Sequence, residues 1–227
     1  MIDLVRFVVG YDPREAIAYH VFCQSILERS SCPVSFLPLA EQSIPNYIEY
    51  HKDGSNRFTY TRFLTPYLMN FQGWAIFADG DMVCREDICR LWSLRDPAMA
   101  VQVVKHDYMT KAAHKYLGNK NENYPRKNWS SVILWNCSHP ANRCLTPEFI
   151  SSRDGAFLHR FRWLEDELVG ELPKEWNWLA IEYDPNPHAC LIHYTLGTPC
   201  FAAYRHSDQS EHWQAALGRT LNGLEET

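Results

Sequence analysis

The sequence lacks most of the features that would send a chain to a membrane or to nucleic acid. No secretion signal precedes the first structured run, because Met1 leads directly into Leu4-Val-Arg-Phe-Val-Val9, which reads as a strand. No apolar stretch is long enough to cross a bilayer. No long run of Lys and Arg is present and the net charge is −5, which argues against a nucleic-acid backbone or anionic lipid as the partner. No Cys-x-x-Cys pair occurs among the eight cysteines, so they are expected to be reduced, small core residues of a cytoplasmic protein. Internal repeats and linkers are also missing, and residues 1–227 are therefore expected to form one domain with ample core. The two glycosylation-like triplets, Asn128-Trp129-Ser130 and Asn136-Cys137-Ser138, are read as chance in such a chain.

What is present centres on Gly73-Trp-Ala-Ile-Phe-Ala-Asp-Gly-Asp-Met-Val83. Trp74 to Ala78 is an unbroken apolar run, too short for a core helix, and predicts a strand covered on both faces. Asp79 and Asp81 come directly after it. Residues two apart in extended chain point to one side, so two carboxylates are expected together where a central strand leaves its sheet. Adjacent like charges are costly without something positive between them, and hard oxygen ligands suit Mg²⁺ or Mn²⁺. The plainer alternative is that the acids only end the strand and begin a turn.

The chain before this strand predicts a β-α-β unit. Asp12, Pro13 and Glu15 form a helix start after the first strand, with a helix to about Arg29 and a second strand over Pro33–Leu37. This alternation predicts an α/β fold with a Rossmann-like, mixed but mostly parallel sheet flanked by helices. The first β-α turn could take a nucleotide, although helix capping alone explains Asp12. Residues 39–56 read as a loop, 57–70 as a helix carrying Arg62, 86–94 as a short helix and 98–104 as a strand. Residues 105–127 have no clean period and are expected to be a cover or acceptor surface. Ser130–Asn136 and Cys190–His193 predict two further strands, 163–169 the start of a helix, and 209–221 a final helix. Glu165, Asp166 and Glu167 crowd one turn, either as a solvated acidic turn or as part of a sugar-binding site.

The order of Phe58-Thr-Tyr-Thr-Arg62-Phe, the apolar strand, Asp79-Gly-Asp81, Leu91-Trp92, Ser130-Ser-Val-Ile-Leu-Trp-Asn136, Glu165-Asp-Glu167 with Asn177, and His193-Tyr-Thr resembles glycosyltransferase family 8. That family has the GT-A fold and includes glycogenin and the lipopolysaccharide galactosyltransferases. The resemblance implies a metal-dependent, retaining transfer of a sugar from a nucleotide-sugar donor, a UDP-sugar, to a glycan or other hydroxyl acceptor. It implies Mn²⁺ (or Mg²⁺) held by Asp79, Asp81 and His193. It implies a nucleotide site at Gly10, Tyr11, Asp12, Arg62 and Asp79, donor-sugar contacts from Ser130 and Ser131, and catalytic acids at Glu165 and Asp166. One departure concerns the diphosphate. Relatives place a lysine after the His-containing strand, where this chain has Leu196-Gly197-Thr198-Pro199. Two rival readings remain open on residues alone: a non-catalytic nucleotide- or sugar-binding protein on the same fold, and a haloacid dehalogenase-type phosphatase, which also places Asp-x-Asp after a strand.

Overall fold

The computed structural model describes residues 3–222 and is a mixed α/β fold with a mostly parallel central sheet and flanking helices. Nine strands are defined among the described residues: β1 (Val5–Gly10), β2 (Val34–Leu39), β3 (Trp74–Ala78), β4 (Met82–Cys84), β5 (Val101–Val103), β6 (Val132–Asn136), β7 (Val169–Glu171), β8 (Trp178–Leu179) and β9 (Leu191–His193). Six of them form one sheet in the order β2-β1-β3-β6-β5-β7, and β4-β9-β8 form a small second sheet. β6 runs antiparallel to both of its neighbours, while β1 is parallel to β2 and β3, and β5 to β7. No helix among the described residues is long and apolar enough to cross a membrane.

The strands that read as continuous apolar runs do so because both faces of the sheet are covered. Along β3, Ala75 and Phe77 enter one core cluster and Ile76 and Ala78 the other. Along β6, Ile133 and Trp135 divide in the same way from Val132 and Leu134. This is the two-residue period of a pleated strand buried on each side. Each large side chain among them contributes about 1.5–3 kcal/mol of burial, which makes β3 and β6 rigid supports for the polar residues at their ends. The helix Ala16–Leu27 buries Val21, Phe22 and Ile26 and connects β1 to β2. Its solvent side includes Leu27, which is 54% exposed. A third cluster joins Val21, Val83 and Ile192 to Trp213 and Ala216 of the terminal helix Ser210–Asn222.

Several expectations from sequence are corrected. The segment expected to be a helix over 57–70 is helical only across Thr61–Leu64 and Thr65–Leu68. Pro66 is accepted in that first turn, but Asn70 and Phe71 adopt left-handed backbone and end it. The expected helix at 163–169 is instead a short turn at Asp166–Leu168 leading into edge strand β7, because Val169 finds a parallel partner in Val101. Cys32 and Cys89 are joined in a disulfide, contrary to the expectation of eight reduced cysteines. Their separation of 57 residues concealed that the start of β2 and the helix Ile88–Trp92 meet. Ser31 bonds both carboxylate oxygens of Asp87 at that junction, at 3.2 and 2.5 Å. Cys23, Cys84 and Cys137 are free and buried, as expected of core thiols, whereas Cys144 is exposed.

Candidate metal and nucleotide site

The acids occupy the joint between the two sheets. β3 ends at Ala78 and β4 begins at Met82, so Asp79-Gly80-Asp81 is the whole of the crossing. Gly80 faces away from the carboxylates, where a Cβ would come within 2.3 Å of the Gly10 carbonyl. Only glycine allows the ends of β1 and β3 to approach this closely. Gly10 is under similar pressure, since the Phe58 ring would lie 2.6 Å from its added Cβ.

Strand pairing then delivers the remaining groups. Ala78 pairs with Val132, and the Asp79 amide continues the ladder to the Ser131 carbonyl at 2.9 Å. That register sets Ser130 and Ser131 beside Asp79. Met82 pairs with His193, and the Tyr194 amide donates to the Asp81 carbonyl at 2.9 Å. His193 is thereby fixed next to Asp81. Its Nε2 lies 3.3 Å from Asp81 Oδ1 and 3.8 Å from Asp79 Oδ2. One ligand atom from each of Asp79, Asp81 and His193 falls within 4.8 Å of the others, and all three residues are buried.

A polar network behind the cluster sets the histidine's tautomer. Asn177 Nδ2 donates to Ser131 Oγ at 2.7 Å and to the Asn128 carbonyl at 3.3 Å. Its Oδ1 therefore faces His193 Nδ1, 3.0 Å away, and can only accept. Nδ1 must carry the proton, which leaves the Nε2 lone pair aimed at two carboxylates. Such a lone pair among anionic oxygens is unfavourable unless a proton or a cation lies between them. Asp79 Oδ1 and Asp81 Oδ1 are moreover buried with no hydrogen-bond donor. Asp79 Oδ2, Asp81 Oδ1 and a preset imidazole nitrogen face one another as a donor set that could hold a divalent cation, with the imidazole oriented from behind as metal-binding histidines are.

Arg62 is the counter-charge in the protein itself. Its Nη1 lies 2.8 Å from Asp79 Oδ1, an ion pair by proximity rather than a directed hydrogen bond. The guanidinium is held by the Phe58, Thr59 and Ser130 carbonyls at 3.2, 3.1 and 2.9 Å. Burial pushes the Asp79 carboxyl up to about 6, against the opposing pull of Arg62. Burial, the largest single influence, raises the Asp81 carboxyl, but His193, Lys115 and a backbone hydrogen bond together outweigh it and the net shift is downward.

A cavity of about 90 Å³ opens onto Asp79, Asp81, His193 and Arg62, and a second of about 490 Å³ adjoins it. Ser55, Thr59, Lys115, Tyr124 and His159 line both. Ser130 and Ser131 stand on the smaller cavity with their hydroxyls engaged, Ser130 with His159 Nδ1 at 2.7 Å and Ser131 with Asn128 and Asn177. Burial holds the His159 imidazole down at about 3, so it is neutral.

Other expected site residues lie elsewhere. Asp12 is fully engaged: it caps the turn by accepting from the Arg14 amide at 2.9 Å, pairs with the Arg14 side chain at 2.5 Å and accepts from the Arg57 amide at 3.1 Å. Tyr11 packs edge-on against Tyr19. Gly10, Tyr11 and Asp12 do not line either cavity. Neither do Glu165 and Asp166, which are exposed. Asp166 pairs with Arg126 at 2.5 Å, and Arg126 in turn donates to the carbonyl of Arg160 on the larger cavity's wall. Sequence reasoning missed Lys115, Tyr124 and His159. For the first two the only signal was the aperiodic stretch 105–127.

This architecture is that of the GT-A-type glycosyltransferases. It overlays on the bifunctional glycosyltransferase WbbM with a TM-score of 0.68 at 15% identity, covering 94% of this chain and 49% of that one. It overlays on the glycosyltransferase GlyE of Streptococcus pneumoniae TIGR4 at 0.61 and 12% identity, covering 96% and 63%. For the galactosyltransferase LgtC, solved with donor and acceptor sugar analogues, the values are 0.53 and 11%, with 94% and 95% covered. No protein-family model matches the sequence. The chain belongs to the family of Protein CDI from Arabidopsis thaliana, with which it shares 42% identity over 230 residues, spanning 97% of this chain and 86% of that protein.

Proposed function

We propose that this protein is a metal-dependent, retaining glycosyltransferase of the family 8 type, which moves a sugar from a nucleotide-sugar donor, a UDP-sugar, to a glycan hydroxyl. The observation that carries the reading is the buried triad of Asp79, Asp81 and His193 at the joint of two sheets in a GT-A fold. Asp79, Asp81 and His193 would hold the ion, and Mn²⁺ suits two carboxylates with one imidazole. When bound, such an ion acts as a Lewis acid that neutralises the negative charge growing on a departing diphosphate.

The chain's own residues supply orientation and dryness. Asn177 holds His193 in the tautomer that presents Nε2, and Arg62 keeps Asp79 from turning away. The burial of both acids excludes the water that would otherwise screen them. Ser130, whose backbone and side chain tie Arg62 to His159, lies on the wall where the reacting sugar would be expected. Glu165 and Asp166 are given no part in this reading, because they line neither cavity. The transferase reading is favoured over a phosphatase because the fold is like that of solved glycosyltransferases and the acid pair follows β3 rather than the first strand of the sheet.

The test is a donor screen. Purified protein incubated with UDP- and GDP-sugars should release nucleoside diphosphate slowly from one of them, only when Mn²⁺ or Mg²⁺ is present and not with EDTA. Binding without release would favour a non-catalytic binding protein. Metal-dependent release of phosphate from a simple ester would favour the phosphatase.

A further inference from the structure

We propose that Lys115 is the residue that holds the donor's diphosphate, an inference that rests on the transferase reading above. The argument begins with charge. A nucleoside diphosphate brought to the acids carries at least two negative charges into a half-enclosed cavity. One divalent ion beside two carboxylates and one arginine does not fully offset them. A further cation on the cavity wall is needed, with donors left to give.

Arg62 is poorly placed for that task, because it is held against Asp79 and three backbone carbonyls. Thr198, after the last strand, is also committed: it is fully buried and donates to Glu15 Oε2 at 3.1 Å. Lys115 differs from both. Its Nζ makes one long contact, to Thr195 Oγ1 at 3.3 Å, and among the described residues it lies in no ion pair. An ammonium has three donors, so two are free. The side chain lines both the small cavity of the acids and the larger one beside it, which puts it on the path between them. Lys115 feels the Asp79 and Asp81 carboxylates without pairing directly with either, and an anion in the cavity would supply the direct partner that a buried ammonium needs.

The backbone that carries Lys115 is built to keep it there. His114 bridges Lys120, and the Lys115 amide donates to the Asn119 carbonyl at 2.7 Å. Leu117 and Gly118 both adopt left-handed backbone and close the turn. The next residue ties the turn to the loop after β9: the Tyr116 amide donates to Leu196 at 2.7 Å and its ring stacks on Phe201 at 5.0 Å. The turn is thus anchored to the segment that also carries His193. Metal ligand and ammonium are positioned by one piece of structure.

Calorimetry with Lys115→Met and Lys115→Arg tests this, using Mn²⁺ alone, then UDP, GDP and uridine in saturating Mn²⁺. Lys115→Met should weaken binding of the nucleoside diphosphate by about tenfold to a hundredfold, the effect of one charge-assisted contact. It should leave Mn²⁺ affinity undiminished and uridine affinity unchanged, and Lys115→Arg should restore most of the loss. Equal UDP binding by Lys115→Met and wild type would overturn the assignment. So would an equal loss for uridine and UDP, which would mark a collapsed site. Wild-type protein that binds neither UDP nor GDP with Mn²⁺ would overturn the transferase reading and this inference with it. Wild-type binding with an unaffected Lys115→Met would overturn this inference alone.

Discussion

Asp81→Ala is expected to abolish metal-dependent nucleoside diphosphate binding and to lower sugar transfer by a hundredfold or more, roughly the several kcal/mol that such electrostatic stabilisation supplies. The fold should survive the change. Asp81 contributes its carboxylate to the cavity but its backbone to the sheet, where its carbonyl accepts from Tyr194 whatever the side chain. The removed group is one of two buried like charges, so its loss relieves repulsion at the same time as it removes a ligand. Calorimetric titration of Mn²⁺ and then UDP into wild type and variant gives the answer. Unchanged affinity with unchanged thermal unfolding would remove Asp81 from the site.

The largest effect on stability is expected from Arg62→Met. The substitution keeps much of the apolar stem that packs against Phe58 and Phe77 but removes the charge. Three backbone carbonyls then lose a donor and Asp79 stays buried without its counter-charge. Breaking a buried pair from one side costs about 3–5 kcal/mol. The sign with pH comes from Asp79. Its carboxyl is already raised to about 6 by burial, and removal of Arg62 raises it further. The folded variant therefore takes up a proton at higher pH than folded wild type or the unfolded chain. Its stability relative to wild type should improve as pH falls towards about 6, with the gain complete below that value. Urea denaturation at about pH 5 and about pH 8 measures both effects. A deficit under about 1 kcal/mol, or one that grows on acidification, would show that Arg62 is not the counter-charge of Asp79. The double variant Arg62→Met, Asp79→Asn should recover most of the loss, because the two residues interact directly.

Much of the site was legible because its groups sit at strand ends. Apolar runs bounded by polar residues mark Asp79, Asp81, Ser130 and His193 in the sequence itself, since a strand buried on both faces reads as an unbroken apolar run whose polar ends stand out. What sequence could not give was direction and register. Val132–Asn136 reads as a strand either way, and only its antiparallel pairing with β3 brings Ser131 to Asp79. Asn177 was a landmark of the resemblance, but its role was hidden, because it lies in reaching Ser131 and His193 from a separate segment. Lys115 sat in an aperiodic stretch whose conformation depends on left-handed Leu117 and on contacts to the loop after β9. Asp12 shows the opposite case: its carboxylate caps the turn at Pro13–Glu15, as the sequence alternative has it, and is otherwise taken by the Arg14 side chain and the Arg57 amide. Asp166 and Glu165 lie in a turn that strand pairing of Val169 pulls to the surface, an outcome set by tertiary partners rather than by helix signals.

Pulsed electron paramagnetic resonance of Mn²⁺ bound to the protein reads the proposed centre most directly. One high-affinity ion per chain should show coupling to a single histidine nitrogen, and both the coupling and the tight binding should be lost in His193→Ala. A bound ion without nitrogen coupling, or a spectrum that His193→Ala leaves unaltered, would contradict a cation site at the joint of the two sheets.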